Sequence, residues 1–573
     1  MKKFISVLIA LLLIGIIIGV AFGPKIIDKY SYSKEMADMD EYFDIENAAV
    51  GENDGNLAIV LQDEVITDRA VAKNGYVYFE MSTVKEYFNE GFYVDNDENQ
   101  LLYTTADDTI WVTYENTSYR DKEGEHQTPY QICYRDGDKL YMAADFITMF
   151  ANYSYERFDR HLQVYTEWGV KETSEVAKKT QLRVKGGIKS PILCQLEQGD
   201  IVEILEEMET WSKVKTKDAL IGYVENKRLQ NRSADVETPV TTYKPEEYSS
   251  LSMEGKVCLG WHAIGGVGGN DTLDAMIKEG IGMNVIAPTW FSLTDNEGGY
   301  RSFASQKYVE KAHKNGLKVW GAWDNFNYKN ETGEQISTYQ VLSSTPIRRS
   351  LTEKMVEETI ALGLDGINID YEGLTEDTGV HFIQFIKELS VLCRENGIVL
   401  SIDNYVPLNF NNFYRLDIQG KVADYVIIMG YDEHWHGSGD PGSVASIDYV
   451  SGGIERTVEK VPAQKVVNAL PFYMIQWKTE GTKVTDDYIT LNNLSEYLKK
   501  TGIKPEWDET TCQNYAEWKE GDVTYQIWIE DEESLRVKLN VMNAQKIGGV
   551  AVWRLGYGTS GAWQLVSAYA GNK

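Results

Sequence analysis

Asn368, Asp370 and Glu372 stand at alternate positions in Leu364-Asp-Gly-Ile-Asn-Ile-Asp-Tyr-Glu372. In a strand, alternate side chains share a face, so these three project together while Ile367, Ile369 and Tyr371 face the other way. Parallel strands covered on both faces read as continuous apolar runs. Burying two carboxylates and an amide in one costs free energy unless the site is solvated or functional. Polar groups converging at the carboxyl end of a strand are placed where barrel enzymes keep their chemistry. Such a set can do acid–base work and stabilise a developing charge. Taken alone, an Asp-x-Glu pair is better explained by solvated acids ending a strand.

The elements around this segment alternate strand and helix from Gly255 onward. Candidate strands are Lys256–Leu259, Gly282–Pro288, Lys318–Ala322, Gly366–Asp370, Val399–Asp403, Tyr425–Met429, Lys465–Leu470 and Gly549–Trp553. Thr345 with Pro346 starts a helix, and Gly363 stops it just before the polar strand. Phe382, Phe385, Leu389 and Leu392 recur at helical spacing, and Gly397 ends that helix. Eight strands over this length suit a (β/α)8 TIM barrel in the α/β class, spanning 251–573 with an insertion near 477–531. A doubly wound open sheet alternates comparably, so the strand count leaves that choice open.

The nine-residue pattern resembles the signature of glycoside hydrolase family 18, the chitinase-like hydrolases of N-acetylglucosamine polymers. Met429-Gly-Tyr-Asp432, Ala469-Leu-Pro-Phe-Tyr473 and Gly548-Gly-Val-Ala-Val-Trp553 resemble its sixth-, seventh- and eighth-strand elements. The run from Met429 to Ser446 is similar to bacterial spore-cortex and peptidoglycan N-acetylglucosaminidases of that family. The resemblance implies substrate-assisted, retaining hydrolysis, in which the sugar's own acetamido oxygen is the nucleophile. Glu372 is then the acid, later the base, with its burial beside Asp370 expected to favour the neutral form. Asp370 would hold the acetamido N–H, Tyr431 would donate to the acetamido oxygen, and Trp553 would stack on the sugar. Asn368, Met429, Asp432 and Tyr473 complete the implied substrate-binding set, with Asp432 a hydrogen-bonding support. Asn368 departs from the family's more frequent aspartate. Its loss of a titrating partner is expected to simplify the ionisation of Asp370. Trp290, Trp320, Trp323, Trp435 and Trp477 fall near strand ends, each as fit to pack as to stack on sugar. Asp365 reads as a turn residue at the strand start.

Upstream, 47–170 alternates short aromatic and β-branched runs with acidic or glycine turns, as a small α+β or mostly β domain does. It resembles the amino-terminal module of copper amine oxidases, without residues for a copper site. Residues 173–230 resemble a bacterial SH3 domain through Gly199-Asp-Ile-Val-Glu-Ile-Leu205, Trp211-Ser-Lys-Val214 and Ile221-Gly-Tyr-Val224. Binding to wall peptide or glycan and service as a spacer explain it equally. Asn231 to Pro245 reads as a linker. Lys2 and Lys3 precede an apolar run from Phe4 to Phe22, long enough to cross a bilayer and oriented with the remainder outside. Residues 1–30 are therefore expected to be an uncleaved signal anchor or transmembrane helix, with a cleaved signal peptide the rival.

The 573 residues carry a formal charge of −31, which argues against nucleic acid and favours a neutral glycan as partner. Five scattered cysteines point away from a disulfide framework, although one pair is not ruled out, and no Cys/His cluster suggests zinc. His434 and His436 lie close together but lack further ligands, so no metal and no cofactor is expected. The expected enzyme is a membrane-anchored, extracellular hydrolase of β-1,4-linked N-acetylglucosamine in peptidoglycan. The alternatives are a chitinase and a glycan-binding protein on a catalytically dead barrel. The presence of Glu372 weighs against the last.

Overall fold

The computed structural model describes residues 29–236, 238 and 241–571, together with 12–14, 16 and 20. Two compact units result, Met1–Phe92 with Trp111–Pro245, and Tyr93–Ile110 with Glu246–Lys573.

The second unit is built on eight parallel strands: β1 (Val257–His262), β2 (Val285–Leu293), β3 (Lys318–Asp324), β4 (Gly366–Asp370), β5 (Val399–Tyr405), β6 (Tyr425–Met429), β7 (Val466–Pro471) and β8 (Gly549–Trp553). Each pairs with its neighbour, and β1 pairs with both β2 and β8. That closure excludes the open sheet. Gly282 adopts φ +77°, a turn conformation, so β2 starts later than its sequence suggested. At their carboxyl ends β3 and β5 each run two residues beyond expectation, to Asp324 and Tyr405.

β4 shows how the sequence places its side chains. Ile367 and Ile369 are fully buried on the helix side, and Tyr371 stacks on Phe385 with ring centroids 5.6 Å apart. Phe385 belongs to the helix Glu376–Asn396, which also buries Phe382 and Leu389 and ends at Gly397 with φ +65°. Each such side chain contributes about 1.5–3 kcal/mol by leaving water. The helix Thr345–Leu362 carries proline in its first turn and stops at Gly363 with φ +71°. From it the fully buried Arg348 donates two 2.9 Å hydrogen bonds to Glu388 and a third, 3.1 Å, to Tyr93 Oη in the 93–110 segment.

At the amino end of β4, Asp365 accepts from Lys318 Nζ (2.8 Å) and the Val319 N–H (2.9 Å), and lies 2.7 Å from His313 Nε2. It ties β4 to β3 across the strand start, a larger part than turn geometry. After β7, five antiparallel strands within 473–529 form a separate sheet. Below it the buried Lys538 donates to both oxygens of the buried Glu530 at 2.8 Å.

In the first unit a seven-stranded sheet combines Ser154–Arg157, His161–Tyr165, Gly55–Leu61, Glu64–Lys73, Tyr76–Glu80, Lys139–Ala143 and Cys133–Asp136. A second seven-stranded sheet holds Val170–Val176 through Leu229–Val236. Its last strand pairs antiparallel with Val170–Val176, so the expected linker begins as strand. All five cysteines are free. The expected Phe4–Phe22 anchor lies outside the described residues except at 12–14, 16 and 20. Among the described residues no helix is long and apolar enough to cross a membrane.

Candidate active site

A cavity at the carboxyl end of the barrel is lined by Asp370, Glu372, Met429, Tyr431, Asp432 and Trp553, six of the residues singled out from sequence. Strand register accounts for their meeting. Asp370 pairs with Asp324 of β3, and Ile369 pairs with Ile402 of β5. One step further along both strands sets Asp370 beside Asp403, and two more set Glu372 beside Tyr405. Adjacent strands lie about 4.8 Å apart. A row of three carboxylates, Asp324, Asp370 and Asp403, therefore crosses three strands.

Glu372 is held from two directions. Asn325 brackets its backbone, accepting from the Glu372 N–H and donating to the Glu372 carbonyl, both at 2.9 Å. Tyr405 Oη donates to Glu372 Oε2 at 2.6 Å and accepts from the Gly373 N–H at 3.3 Å. Burial pushes the Glu372 carboxyl above its usual range; the Tyr405 hydrogen bond opposes this, while the Asp432 and Asp324 charges add to it. Asp370, the neighbour expected from sequence, repels Glu372 as well, and that repulsion shows as the raised Asp370 carboxyl.

Asp370 is raised well above the carboxylate range, first by burial and then by the charges of Asp403, Glu372 and Asp324. Asp403 is raised likewise by burial, although a hydrogen bond from Asn368 opposes the shift. This corrects the expectation for Asn368. Its Nδ2 donates to Asp403 Oδ1 (2.8 Å) and Ser401 Oγ (3.1 Å), and its Oδ1 accepts from Trp261 Nε1 (3.0 Å). Asp370 still ionises beside a second carboxylate, because β5 supplies Asp403. Each of the two carboxylates therefore loses its proton in the field of the other.

The β6 loop brings the other groups. A Cβ on Gly430 would lie 2.8 Å from Asn468 Oδ1 and 2.9 Å from the Ala469 carbonyl, so only glycine lets Tyr431 follow Met429 this closely past β7. Asp432 takes φ +59°, which a short polar residue tolerates, and accepts from Tyr473 Oη. Tyr473 is 2% exposed and stands behind Asp432, as the fully buried Asn368 stands behind Asp403. Neither lines the cavity; each fixes a carboxylate that does. Trp553 packs tilted against Trp261 at 6.0 Å, and both line the cavity.

A second cleft adjoins across Glu372 and Tyr405, with Phe326, Tyr328 and Tyr339 among neutral amides and hydroxyls. Of the five tryptophans near strand ends, Trp290, Trp320, Trp323 and Trp477 are core side chains, and Trp435 is 56% exposed. His436 bonds to Asp486, and His434 Nδ1 lies 3.0 Å from the Asp440 carbonyl. Among the described residues no group of three or more His, Cys, Asp or Glu could hold a metal ion. Asp324, Asn325, Asp403 and Tyr405 were not found from sequence. Ser401, Asp403 and Tyr405 do carry a signal, a period-two polar set on one face of a strand whose other face holds Leu400, Ile402 and Asn404.

Residues 286–558 match the family described as glycosyl hydrolases family 18, and 178–230 match the bacterial SH3 domain. The chain is 26% identical over 295 residues to the uncharacterized glycosylase YvbX of Bacillus subtilis, covering 50% of this chain and 84% of that one. It is 23% identical over 239 residues to the cortical fragment-lytic enzyme of Bacillus anthracis, covering 40% of this chain and 55% of that one. It thus spans about half the length of the latter relative. Among solved structures, the Bacillus cereus spore cortex-lytic enzyme SleL aligns with a TM-score of 0.49 at 19% identity, covering 59% of this chain and 78% of that one. The chain carries a family 18 glycoside hydrolase domain, related to chitinases and spore cortex-lytic enzymes, and a bacterial SH3 domain.

Proposed function

We propose that the barrel hydrolyses β-1,4-linked N-acetylglucosamine in peptidoglycan by substrate-assisted, retaining catalysis. The observation that carries this reading is the position of Glu372, which lines both adjoining clefts. An acid that protonates the oxygen bridging two sugars has to stand between their sites. With its carboxyl shifted toward the neutral form, Glu372 donates its proton to the leaving oxygen. Asp370 accepts the acetamido N–H and offsets the positive charge of the oxazolinium ring, while Tyr431 donates to the acetamido oxygen. Trp553 covers the sugar's apolar face and excludes water. Glu372, now ionised and held by Tyr405, takes a proton from the water that opens the ring.

The relatives named cortical fragment-lytic enzymes favour peptidoglycan. The neutral aromatic and amide lining of the second cleft suits an uncharged chito-oligosaccharide equally well. A chitinase is therefore the second reading, and product masses from peptidoglycan, spore cortex and chitin oligomers digested in parallel decide between the two. For the catalytic assignment, Glu372→Gln keeps the shape and removes the donated proton. Hydrolysis should fall at least ~10²-fold with folding unchanged, and near-normal activity would overturn the assignment.

The SH3 domain and the module at 47–170, similar to the amino-terminal module of copper amine oxidases, would hold the barrel toward the wall. The Phe4–Phe22 run would anchor the chain with all that follows outside the cytoplasm. External protease on wall-stripped cells should then digest the chain to a membrane stub. Protection of the barrel beside an intact cytosolic marker refutes that placement.

A further inference from the structure

The proposed mechanism leaves Asp403 without a task, yet Asp403 is 3% exposed and lines the same cavity as Asp370. An unpaired buried carboxylate is costly, and two side by side are costlier. Asp403 Oδ1 is satisfied by Asn368 Nδ2 at 2.8 Å, but Asp403 Oδ2 and Asp370 Oδ1 are both buried without a hydrogen-bond partner. The third carboxylate of the row differs. Asp324 accepts from Ser292 Oγ (2.9 Å) on one oxygen and from the Phe326 N–H (3.1 Å) on the other, and Arg301 lies near enough to favour its charge. The two buried oxygens without a partner thus belong to Asp370 and Asp403, which the strand register sets side by side, and none belongs to Asp324.

We propose that Asp370 and Asp403 hold one proton between them, making Asp403 a proton-holding and positioning residue for the substrate-facing Asp370. This rests on the hydrolase reading above. The pair then carries one negative charge instead of two. With the proton on Asp403, Asp370 is the anion that accepts the acetamido N–H; with the proton on Asp370, Asp403 is the anion held by Asn368. The proton only changes sides, so nothing is gained from or lost to solvent. Other titratable groups facing the pair are Asp324 on β3, Glu372 beyond β4, Tyr405 at the end of β5, Tyr414, and Tyr431 with Asp432 beyond β6. All are acids. Arg301, the cation acting on this row, is turned to Asp324. A shared proton is thus the means on the page of relieving the repulsion between Asp370 and Asp403.

The test is infrared titration of the full chain in a Glu372→Gln background, which removes the acid's own carboxyl and needs no turnover. A protonated-carboxyl band that shifts in heavy water should persist to neutral pH. Adding Asp403→Asn should move its disappearance down by about one pH unit or more, because Asp370 no longer ionises beside a second carboxylate. Adding Asn368→Asp to that protein exchanges the partners of one hydrogen bond, keeps the number of carboxylates, and should bring the band back. A merely structural Asp403 would leave the titration where it was. An unchanged band in the Asp403→Asn protein, or no such band in either, would overturn the proposal. If it fails while Glu372→Gln still abolishes hydrolysis, the hydrolase reading stands. If Glu372→Gln stays active, that reading falls, whatever the infrared result.

Discussion

Tyr405→Phe removes a single oxygen, the one that donates to Glu372 Oε2 at 2.6 Å. A hydrogen bond to a charged group contributes about 1.5–3 kcal/mol. At about 1.4 kcal/mol per pK unit, that corresponds to roughly one to two units. Tyr405 is 37% exposed, so water replaces part of the lost bond and the lower end applies. The sign follows from which form the bond favours. Tyr405 stabilises the ionised carboxylate, so its loss raises the Glu372 pKa beyond the value burial already imposes. The acid must be protonated to act, hence the alkaline limb of the kcat/KM profile should move up by about one unit. The maximal rate should fall as well, by about tenfold, since the hydroxyl also fixes which carboxyl oxygen is free for the glycosidic oxygen and supports the anion that later activates water. The assay is initial-rate hydrolysis of a soluble N-acetylglucosamine oligomer across pH. An alkaline limb that stays put, or moves down, refutes the reasoning.

Two further outcomes concern the scaffold. Lys538→Met leaves the buried Glu530 without its cation, with hydrogen bonds from Gln513 and Ser534 remaining, and should cost about 3 kcal/mol, read as a lower denaturant midpoint for the barrel's transition; a midpoint within error of the parent would show that the pair is dispensable. Burial alone would raise the Asp365 carboxyl, but Lys318, the Val319 N–H and His313 together hold it below its usual value. A depressed pKa gives stability that is present above about pH 4, the unfolded value, and lost as pH falls through the folded one. Asp365→Asn should therefore lose about 1–3 kcal/mol at neutral pH and show a shallower loss on acidification; equal slopes for both proteins would contradict this.

The chemistry was legible where it is local. Alternation within Gly366 to Glu372 put Asp370 and Glu372 on one face with the isoleucines on the other, and Met429 to Asp432 and Gly549 to Trp553 ended strands that reach the same cavity. Period-two geometry depends on the strand alone, so the sequence by itself determined those directions. It also determined the helix stops at Gly363 and Gly397, which take the left-handed conformation that glycine permits. Which strand lies beside which, and in what register, depends on the closed barrel. Only the pairing of β4 with β3 and β5 in that register put Asp324 and Asp403 on either side of Asp370 and Tyr405 against Glu372. Reading Asn368 as the loss of a partner failed for this reason: the replacement carboxylate comes from a different strand, 35 residues on. Trp290, Trp320, Trp323 and Trp477 went to the core for the same reason, since a strand-end tryptophan meets solvent or neighbours according to the loops folded over it. Composition sets what a strand presents; tertiary register decides what it meets, because electrostatic and hydrogen-bonding energies depend on distances across strands that no single segment contains.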